Sequence, residues 1–307
     1  MIKFSVVIPL YNKEKDIIDT ITSVMNQDYK ADEIIVVDDG STDNAIKLIK
    51  EKFQDNTYVV SQENLGVSSA RNRGISEAKN EYICLLDGDD IWEKEFLEEI
   101  AQLIELYPKA IFYSTAHKYI NEEGNYLKAK LSFVENKRGI LENFVEIFRK
   151  NYGLLNSSSV CIRKSSEVVF PKNEDKGEDL CVWLELGVKG SLAFSAKALS
   201  TYRLNASNRS STIDDKGSIP CPLKWFYKNK EELKKEKNYK SIQKFIYSNI
   251  FITVYGGFVL SGNYSSITAV IKLMKEHNDW FFVCIYPAYL VPISFLEVIK
   301  KMRREIR

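Results

Sequence analysis

Three carboxylates close together, Asp87, Asp89 and Asp90, form the pattern in this sequence that most strongly suggests chemistry. They follow the apolar run Tyr82–Leu86, which is typical of a buried strand, although Asp is depleted in strands. Such like charges repel one another, and Mg²⁺, which binds one or two protein carboxylates, would remove the repulsion. The structural alternative is a turn in which Asp caps a helix near Trp92–Phe96.

Three weaker patterns place polar groups at the ends of other elements. An acidic pair ending in Asp39 follows a second apolar run and could recognise a ribose or a base, although helix capping also explains it. Gly66 opens a helix whose free N–H groups, with Arg71 one turn inside, could hold an anion, although a surface Arg is the commoner case. Glu178 and Asp179 precede an apolar helix, either as a pair that complements the helix dipole or with one of them as a general base.

The rare residues exclude several other chemistries. The chain of 307 residues has only two histidines, and its five cysteines are scattered and never spaced as CxxC. A structural zinc site, a redox dithiol and a disulfide scaffold are therefore disfavoured, which leaves a carboxylate as the expected base near neutral pH. The sequence contains no GxGxxG, GxxxxGK[ST] or GxSxG pattern, which argues against a dehydrogenase, a P-loop NTPase and an α/β-hydrolase.

The elements that must position these residues alternate along the first hundred positions. Apolar repeats at helical spacing separate four short runs that are predicted as buried strands, Phe4–Leu10, Glu33–Asp38, Thr57–Ser61 and Tyr82–Leu86. This order predicts an α/β protein with an open, mostly parallel sheet flanked by helices. Such sheets bind ligands at the carboxyl ends of their strands, where the acidic clusters lie.

Charge divides the chain into two predicted domains, 1–215 and 216–307. The second holds 16 Lys and Arg against 7 Asp and Glu, a balance of +9, which leaves −8 for the first. We expect 216–307 to be a basic, largely helical extension. Because Phe4–Leu10 begins the chain with no leader before it, and because the cysteine pattern suits a reducing compartment, a cytoplasmic location is expected.

The uncharged stretch Trp280–Leu296 is followed by a basic cluster. Its 17 residues fall short of the ~20 that span a bilayer, and two prolines interrupt it. A buried core helix remains an alternative, but aromatic residues beside basic ones favour contact with the cytoplasmic face of an anionic membrane. Nucleic-acid binding is disfavoured because no recognition motif lies nearby.

Taken together, the acidic and basic patterns resemble the family 2 glycosyltransferases, which have the GT-A nucleotide-sugar-binding fold. The resemblance covers roughly residues 3–212. It rests on the stretches SVVIPLYNKEKDI (5–17), EIIVVDDGSTDN (33–44), QENLGVSSARNRGI (62–75), LLDGDDIW (85–92) and GEDL (177–180).

The resemblance implies a role for each site residue. The main chain near Pro9 and the side chain of Asp39 would contact the base, Arg71 would hold the nucleotide, and Asp87 would lie near the ribose. Asp89 would bind Mn²⁺ or Mg²⁺ at the diphosphate.

The same resemblance places Asp179 as the catalytic base and Glu178 beside the acceptor. The donor would be a UDP-sugar, and the acceptor a saccharide or lipid-linked saccharide of a bacterial surface polysaccharide.

Two rival functions stay open from the sequence. A nucleotidyltransferase would show a Gly-rich loop with Arg and Lys straight after the first strand, where this chain has Pro9-Leu-Tyr-Asn-Lys13. An inactive sugar- or lipid-binding scaffold would not need Asp39, Asp89 and Asp179 together.

Overall fold

The computed structural model describes residues 1–121, 123–128, 131, 134, 136–151, 153–174, 177–204, 219–250 and 265–281. Its strands are β1 (Phe4–Leu10), β2 (Glu33–Asp39), β3 (Tyr58–Gln62), β4 (Tyr82–Leu85), β5 (Ile91–Trp92), β6 (Phe112–Ile120), β7 (Tyr126–Lys128), β8 (Arg138–Ile140), β9 (Val160–Arg163) and β10 (Leu192–Arg203). Its helices are α1 (Ile17–Met25), α2 (Ala45–Phe53), α3 (Val67–Glu77), α4 (Phe96–Leu106), α5 (Phe144–Lys150), α6 (Glu178–Lys189), α7 (Cys221–Lys228), α8 (Lys230–Leu233), α9 (Tyr239–Ile250) and α10 (Ser265–Glu276).

One sheet organises the strands in the order β3-β2-β1-β4-β9-β6-β10-β5, with β7 beside β6 and β8 beside β10. The strands β3, β2, β1 and β4 are parallel neighbours. The other half is mixed, because β9 runs antiparallel to both β4 and β6. The predicted α/β class is confirmed.

Strand β1 is an unbroken apolar run because both of its faces lie in the buried core. All seven of its residues are buried, since helices cover a parallel strand on both faces. Helix α1 packs its apolar stripe into the core through Ile17, Ile21 and Val24, and α4 does so through Ile100 and Leu103.

The chain divides into two compact units. The first contains residues 1–173 and the chain from Cys181 through β10, and the second contains Glu178 to Leu180 and the helices from α7 onward. In the second unit, Asp279 accepts hydrogen bonds from the hydroxyls of Tyr227 (2.9 Å) and Tyr247 (2.8 Å). These bonds anchor the residues after α10 to α7 and α9.

The structure refines one sequence prediction, and two others fall outside the described residues. The helix expected near Trp92–Phe96 begins only at Phe96, because Ile91 and Trp92 pair with β10 as a short antiparallel strand. The predicted boundary at residue 215 and residues 282–296 lie outside the described residues. Within the described part of the chain, no helix is both long and apolar enough to cross a membrane.

Candidate active site

Two of the polar clusters predicted from the sequence, those of Asp39 and Asp87, lie at the carboxyl end of the parallel strands. Asp39 is the last residue of β2, and Asp87 follows β4 by two positions. Both strands are neighbours of β1, which ends just before Asn12 and Lys13. The carboxyl ends of these three strands therefore lie side by side at one end of the sheet, which is where open α/β sheets bind ligands.

Asp39 braces the connection between β3 and α3. Its carboxylate accepts hydrogen bonds from Nε2 of Gln62 (2.7 Å) and from the backbone N–H groups of Leu65 (2.9 Å) and Gly66 (2.8 Å). Gly66 adopts φ +86°, a conformation that favours glycine, and it opens α3 as predicted. The carboxylate of Asp39 thus fixes the loop that leads to Arg71.

Arg71 is buried in α3 and points its charge at the acidic turn. Its guanidinium Nη2 donates to Oδ1 of Asp87 at 2.8 Å, and its Cζ lies 5.2 Å from the ring centroid of Phe170. The Arg71 side chain is 5% exposed, whereas that of Asp87 is 26% exposed. The ion pair is therefore held rigidly on one side and reached by solvent on the other.

Asp89 pairs with Lys13, a residue to which the sequence analysis gave no role. Oδ2 of Asp89 lies 2.7 Å from Nζ of Lys13, and the side chains are 15% and 12% exposed. Burial raises the pKa of Asp89; the Lys13 ammonium lowers it, and the carboxylates of Asp87 and Asp16 raise it again. The Asp89 carboxylate thus lies in a group of acidic side chains, with the Lys13 ammonium as its cationic partner.

Asp90 is the fully buried member of the acidic turn and ties it to two other elements. Its Oδ2 accepts from the hydroxyl of Ser158 at 2.5 Å, and its Oδ1 accepts from the backbone N–H of Arg203 at 3.1 Å. Burial raises the pKa of Asp90 well above its usual range, and the charges of Asp89 and Asp87 raise it further. Asp90 therefore holds the turn and does not face solvent.

Ser158 closes the acidic turn from the other side. Its Oγ accepts a hydrogen bond from the backbone N–H of Asp87 at 3.0 Å, while its carbonyl accepts from Nε1 of Trp92 at 2.6 Å. The guanidinium of Arg203 binds Asp16 (2.7 Å) and Asp19 (2.9 Å) of the α1 region. The turn is thus held by Ser158, just before β9, and by Arg203 at the end of β10, and the side chain of Arg203 in turn binds the α1 region.

Gly88 permits the turn to approach β1. A Cβ at this position would lie 3.1 Å from the carbonyl oxygen of Pro9, which is tighter than nine in ten real Cβ contacts. A side chain here would require β1 or the turn to shift by a few tenths of an ångström. This close approach explains the glycine between the two carboxylates and places Pro9 against the turn.

Glu178 and Asp179 begin α6 and group with the second compact unit. Both side chains are half-buried, and Oδ1 of Asp179 accepts from the backbone N–H of Leu180 at 2.8 Å. Carboxylates in a first helical turn complement the helix dipole.

The donor set at the turn fits a magnesium or manganese ion. Asp87 and Asp89 supply carboxylate oxygens, the ligand type that these ions prefer. Among the residues that the structure describes, no group of three or more His, Cys, Asp or Glu could hold a metal. A site of one or two carboxylates is the kind that Mg²⁺ completes with water and substrate phosphate.

The histidines take structural positions. His117 is buried on β6 with its Nε2 3.0 Å from the hydroxyl of Tyr119, and burial lowers its pKa to about 4. His277 is exposed and stacks on Tyr227, with ring centroids 4.2 Å apart. That carboxylates carry the chemistry stays a prediction.

Three site residues had no assigned role before the structure. Lys13 had been noted only in the stretch Pro9-Leu-Tyr-Asn-Lys13, which argues against a nucleotidyltransferase, and Ser158 and Phe170 had no signal of their own. Each contacts the acidic turn or Arg71 from a distant part of the chain, so local pattern could not reveal it. Only the position of Lys13 just after β1 offers a clue, because β1 lies beside β4.

The sequence of this chain is similar to the sequences of known proteins. Residues 5–170 match the family model of glycosyl transferase family 2. An uncharacterized glycosyltransferase of Rickettsia felis is 32% identical over 220 residues, which cover 71% of this chain and 35% of that protein. The amylovoran biosynthesis glycosyltransferase AmsB of Erwinia amylovora is 30% identical over 66% of this chain and 70% of its own length. The chain thus spans about a third of the Rickettsia relative.

The fold has a solved counterpart. The crystal structure of Staphylococcus aureus TarS in complex with UDP-GlcNAc matches with a TM-score of 0.73, covering 100% of this chain and 93% of that one. The two sequences are 19% identical, so the match demonstrates the GT-A fold. With the family model covering more than half of the chain, the conclusion is direct: this protein belongs to glycosyl transferase family 2.

Proposed function

We propose that this protein transfers a sugar from a UDP-sugar to a hydroxyl group of a saccharide or glycolipid acceptor, with inversion at the anomeric carbon. The observation that carries the proposal is the pairing of Arg71 with Asp87 and of Lys13 with Asp89 at one strand edge. Two carboxylates with fixed cations beside them suit a metal-bound diphosphate. The relationship to the amylovoran biosynthesis enzyme supports a role in surface polysaccharide synthesis.

The nucleotide would occupy the edge formed by β1, β2 and β4. Pro9 and Asp39 would contact the base, Asp87 the ribose, and Arg71 would hold the nucleotide. The choice of UDP draws on the resemblance and on TarS, whose structure contains UDP-GlcNAc.

The proposed reaction is a direct displacement. The acceptor oxygen forms a bond to the anomeric carbon while the bond from that carbon to the diphosphate oxygen breaks, and its electron pair leaves with the UDP. Asp179 takes the proton of the acceptor hydroxyl, and Glu178 orients the acceptor. An aspartate suits this role because a general base must be deprotonated at working pH.

The charge on the leaving UDP must be stabilised where it develops. Lys13 and Arg71 supply fixed cations at the acidic turn, and Asp89 would hold Mg²⁺ or Mn²⁺, with Asp87 beside it. When bound, the ion neutralises charge on the diphosphate oxygens. Asp90, Ser158 and Gly88 keep the turn against β1 so that these groups need not reorganise.

The location proposed for this activity is the cytoplasmic face of the plasma membrane. The net charge of +9 over residues 216–307 and the exposed Trp280 at the start of the apolar stretch support it. Washing membranes with high salt or carbonate should release the full chain. Retention after carbonate would indicate an integral protein instead.

A donor panel tests the function. Purified protein is incubated with UDP-, GDP- and dTDP-sugars, with Mn²⁺ or Mg²⁺ and with EDTA, and release of the nucleoside diphosphate is measured. The proposal expects turnover of a UDP-sugar that stops with EDTA and returns with Mn²⁺. Turnover with equal rates in EDTA would refute the metal role, and no turnover of any donor would favour a binding scaffold. Release of pyrophosphate from UTP and a sugar phosphate would instead identify a nucleotidyltransferase.

A further inference from the structure

A cavity of about 400 Å³ lies beside the acidic turn and has no role in the proposal above. We call it the β10-end pocket. Its walls include Asp16 before α1, Glu93 after β5, Tyr126 of β7 and Arg203 at the end of β10. Its volume falls within the range of small-molecule sites, and no residue assigned to the nucleotide lines it.

The charged groups of the β10-end pocket balance one another. Two cations, Lys15 and Arg203, and two anions, Asp16 and Glu93, line it. Arg203 binds Asp16 at 2.7 Å, and Glu93 binds Lys118 at 2.8 Å, so most of this charge is already paired. A strongly anionic or cationic ligand would meet as much repulsion as attraction. The lining therefore favours a neutral ligand with many hydroxyl groups, which can both donate to carboxylates and accept from cations.

The remaining lining residues supply apolar contact. Ile91 and Ile120 contribute aliphatic surface, and Tyr126 is 61% exposed. The ammonium of Lys118 lies 4.5 Å from the centroid of that ring and helps to orient it. A pyranose has apolar C–H faces and polar edges, so an exposed aromatic ring beside paired charges suits it.

The pocket is joined to the acidic turn through the backbone. The N–H of Arg203 donates to Oδ1 of Asp90, the residue after Asp89, and Ile91 follows directly. A ligand in the pocket would thus lie next to the proposed diphosphate site without occupying it. A donor sugar is attached to the diphosphate itself, whereas further units of an acceptor chain extend away from the reacting hydroxyl.

We propose that the β10-end pocket binds a neutral pyranose unit of the acceptor saccharide. This inference rests on the proposed sugar transfer and adds the chemical class of the acceptor to it. Tyr126 would stack on the sugar face, and Glu93 and Arg203 would bind its hydroxyls.

Saturation-transfer NMR on the full chain tests the pocket. The probes are maltose, cellobiose, lactose and N,N′-diacetylchitobiose, each with and without UDP and Mn²⁺. We expect saturation transfer to at least one neutral disaccharide, retained when UDP is added. Tyr126→Ala should weaken its affinity about three- to tenfold. Tyr58→Ala is the matched control, because Tyr58 is also an exposed strand tyrosine (54%) but lies on β3, outside the pocket.

Every outcome of this experiment either supports or overturns the proposed acceptor pocket. Loss of the saccharide signal in Tyr126→Ala, with UDP affinity and donor hydrolysis unchanged, supports the acceptor pocket. A raised KM for donor hydrolysis in Tyr126→Ala would place the donor sugar there and overturn the inference. No saturation transfer to any probe, or equal signals in both variants, would also overturn it. Failure of the sugar-transfer proposal is seen separately, as absent UDP binding by the wild type.

Discussion

The hydroxyl of Ser158 donates a hydrogen bond of 2.5 Å to Oδ2 of Asp90, a carboxylate 68 positions earlier in the chain. Oγ of Ser158 in turn accepts a hydrogen bond from the backbone N–H of Asp87. One serine therefore holds both ends of the acidic turn, and the positions of Asp87 and Asp89 depend on it. Groups that must be preorganised for a charged leaving group need such support.

Ser158→Ala should loosen the turn. Removing the hydroxyl leaves the buried Asp90 carboxyl and the Asp87 N–H short of a partner, which costs about 1–3 kcal/mol of unfolding free energy. We expect weaker UDP binding in Mn²⁺ as well, measured by calorimetry beside a urea titration. Ser114→Ala is the control, because Ser114 is also buried but bonds to Ser159 and Thr115. Equal UDP affinities in both variants would contradict the positioning role.

Arg71→Lys should weaken UDP binding about tenfold or more, because a lysine cannot reproduce a planar guanidinium that contacts both Asp87 and Phe170. The charge-assisted hydrogen bond that is lost is worth about 1.5–3 kcal/mol. Arg73→Lys on the same helix is the control, since the Arg73 side chain is 54% exposed and pairs with Glu77. The account would be wrong if both variants bound UDP equally.

Lys13→Met should change the pH dependence of metal-assisted UDP binding. Burial already raises the pKa of Asp89, and Lys13 opposes that rise. Without Lys13 the pKa rises further, so protons displace the metal at a higher pH. We expect the acid midpoint of Mn²⁺-dependent UDP binding to move upward, while Lys47→Met, a change at an exposed lysine of α2, leaves it in place. A midpoint that stays or falls would argue against Asp89 as the metal ligand.

The buried His117 predicts a pH dependence of folding stability, which tests the fold and not the proposed catalytic roles. Burial lowers its pKa from 6.5 to about 4, so between these values the unfolded chain binds more protons than the folded one. The stability that the neutral side chain supports is complete above pH 6.5 and is lost as pH falls through 4. This accounts for up to about 3 kcal/mol of unfolding free energy. His117→Gln should flatten that part of the stability profile, and His277→Gln, at an exposed position, should not.

Much of the first half of the sheet is predictable because its signals are local. Strand β1 has the predicted bounds, and β2 ends one residue later, since each is a short apolar run bounded by polar turn residues. The acidic turn and the glycine at the start of α3 were located for the same reason. The local sequence pattern therefore predicts the strands and helices of this half of the sheet and the end of the sheet at which ligands bind.

The second half of the sheet depends on pairings that local pattern does not encode. Strand β5 has two residues and exists because Ile91 and Trp92 pair with β10, far along the chain. Strands β6 and β10 extend to Ile120 and Arg203, where residues that are not an apolar run pair with each other. The partners of the acidic turn, Lys13 and Ser158, are contributed by other elements in the same way.

Asp179→Asn tests the central claim most directly. With the UDP-sugar found by the donor panel, sugar transfer and UDP affinity are measured for the wild type, for Asp179→Asn and for Glu185→Gln, a change at a residue of α6 that pairs with Lys189. If Asp179 accepts the proton of the acceptor hydroxyl, its variant loses transfer, while UDP affinity stays near the wild-type value and Glu185→Gln remains active. Transfer by Asp179→Asn at the wild-type rate would contradict the account.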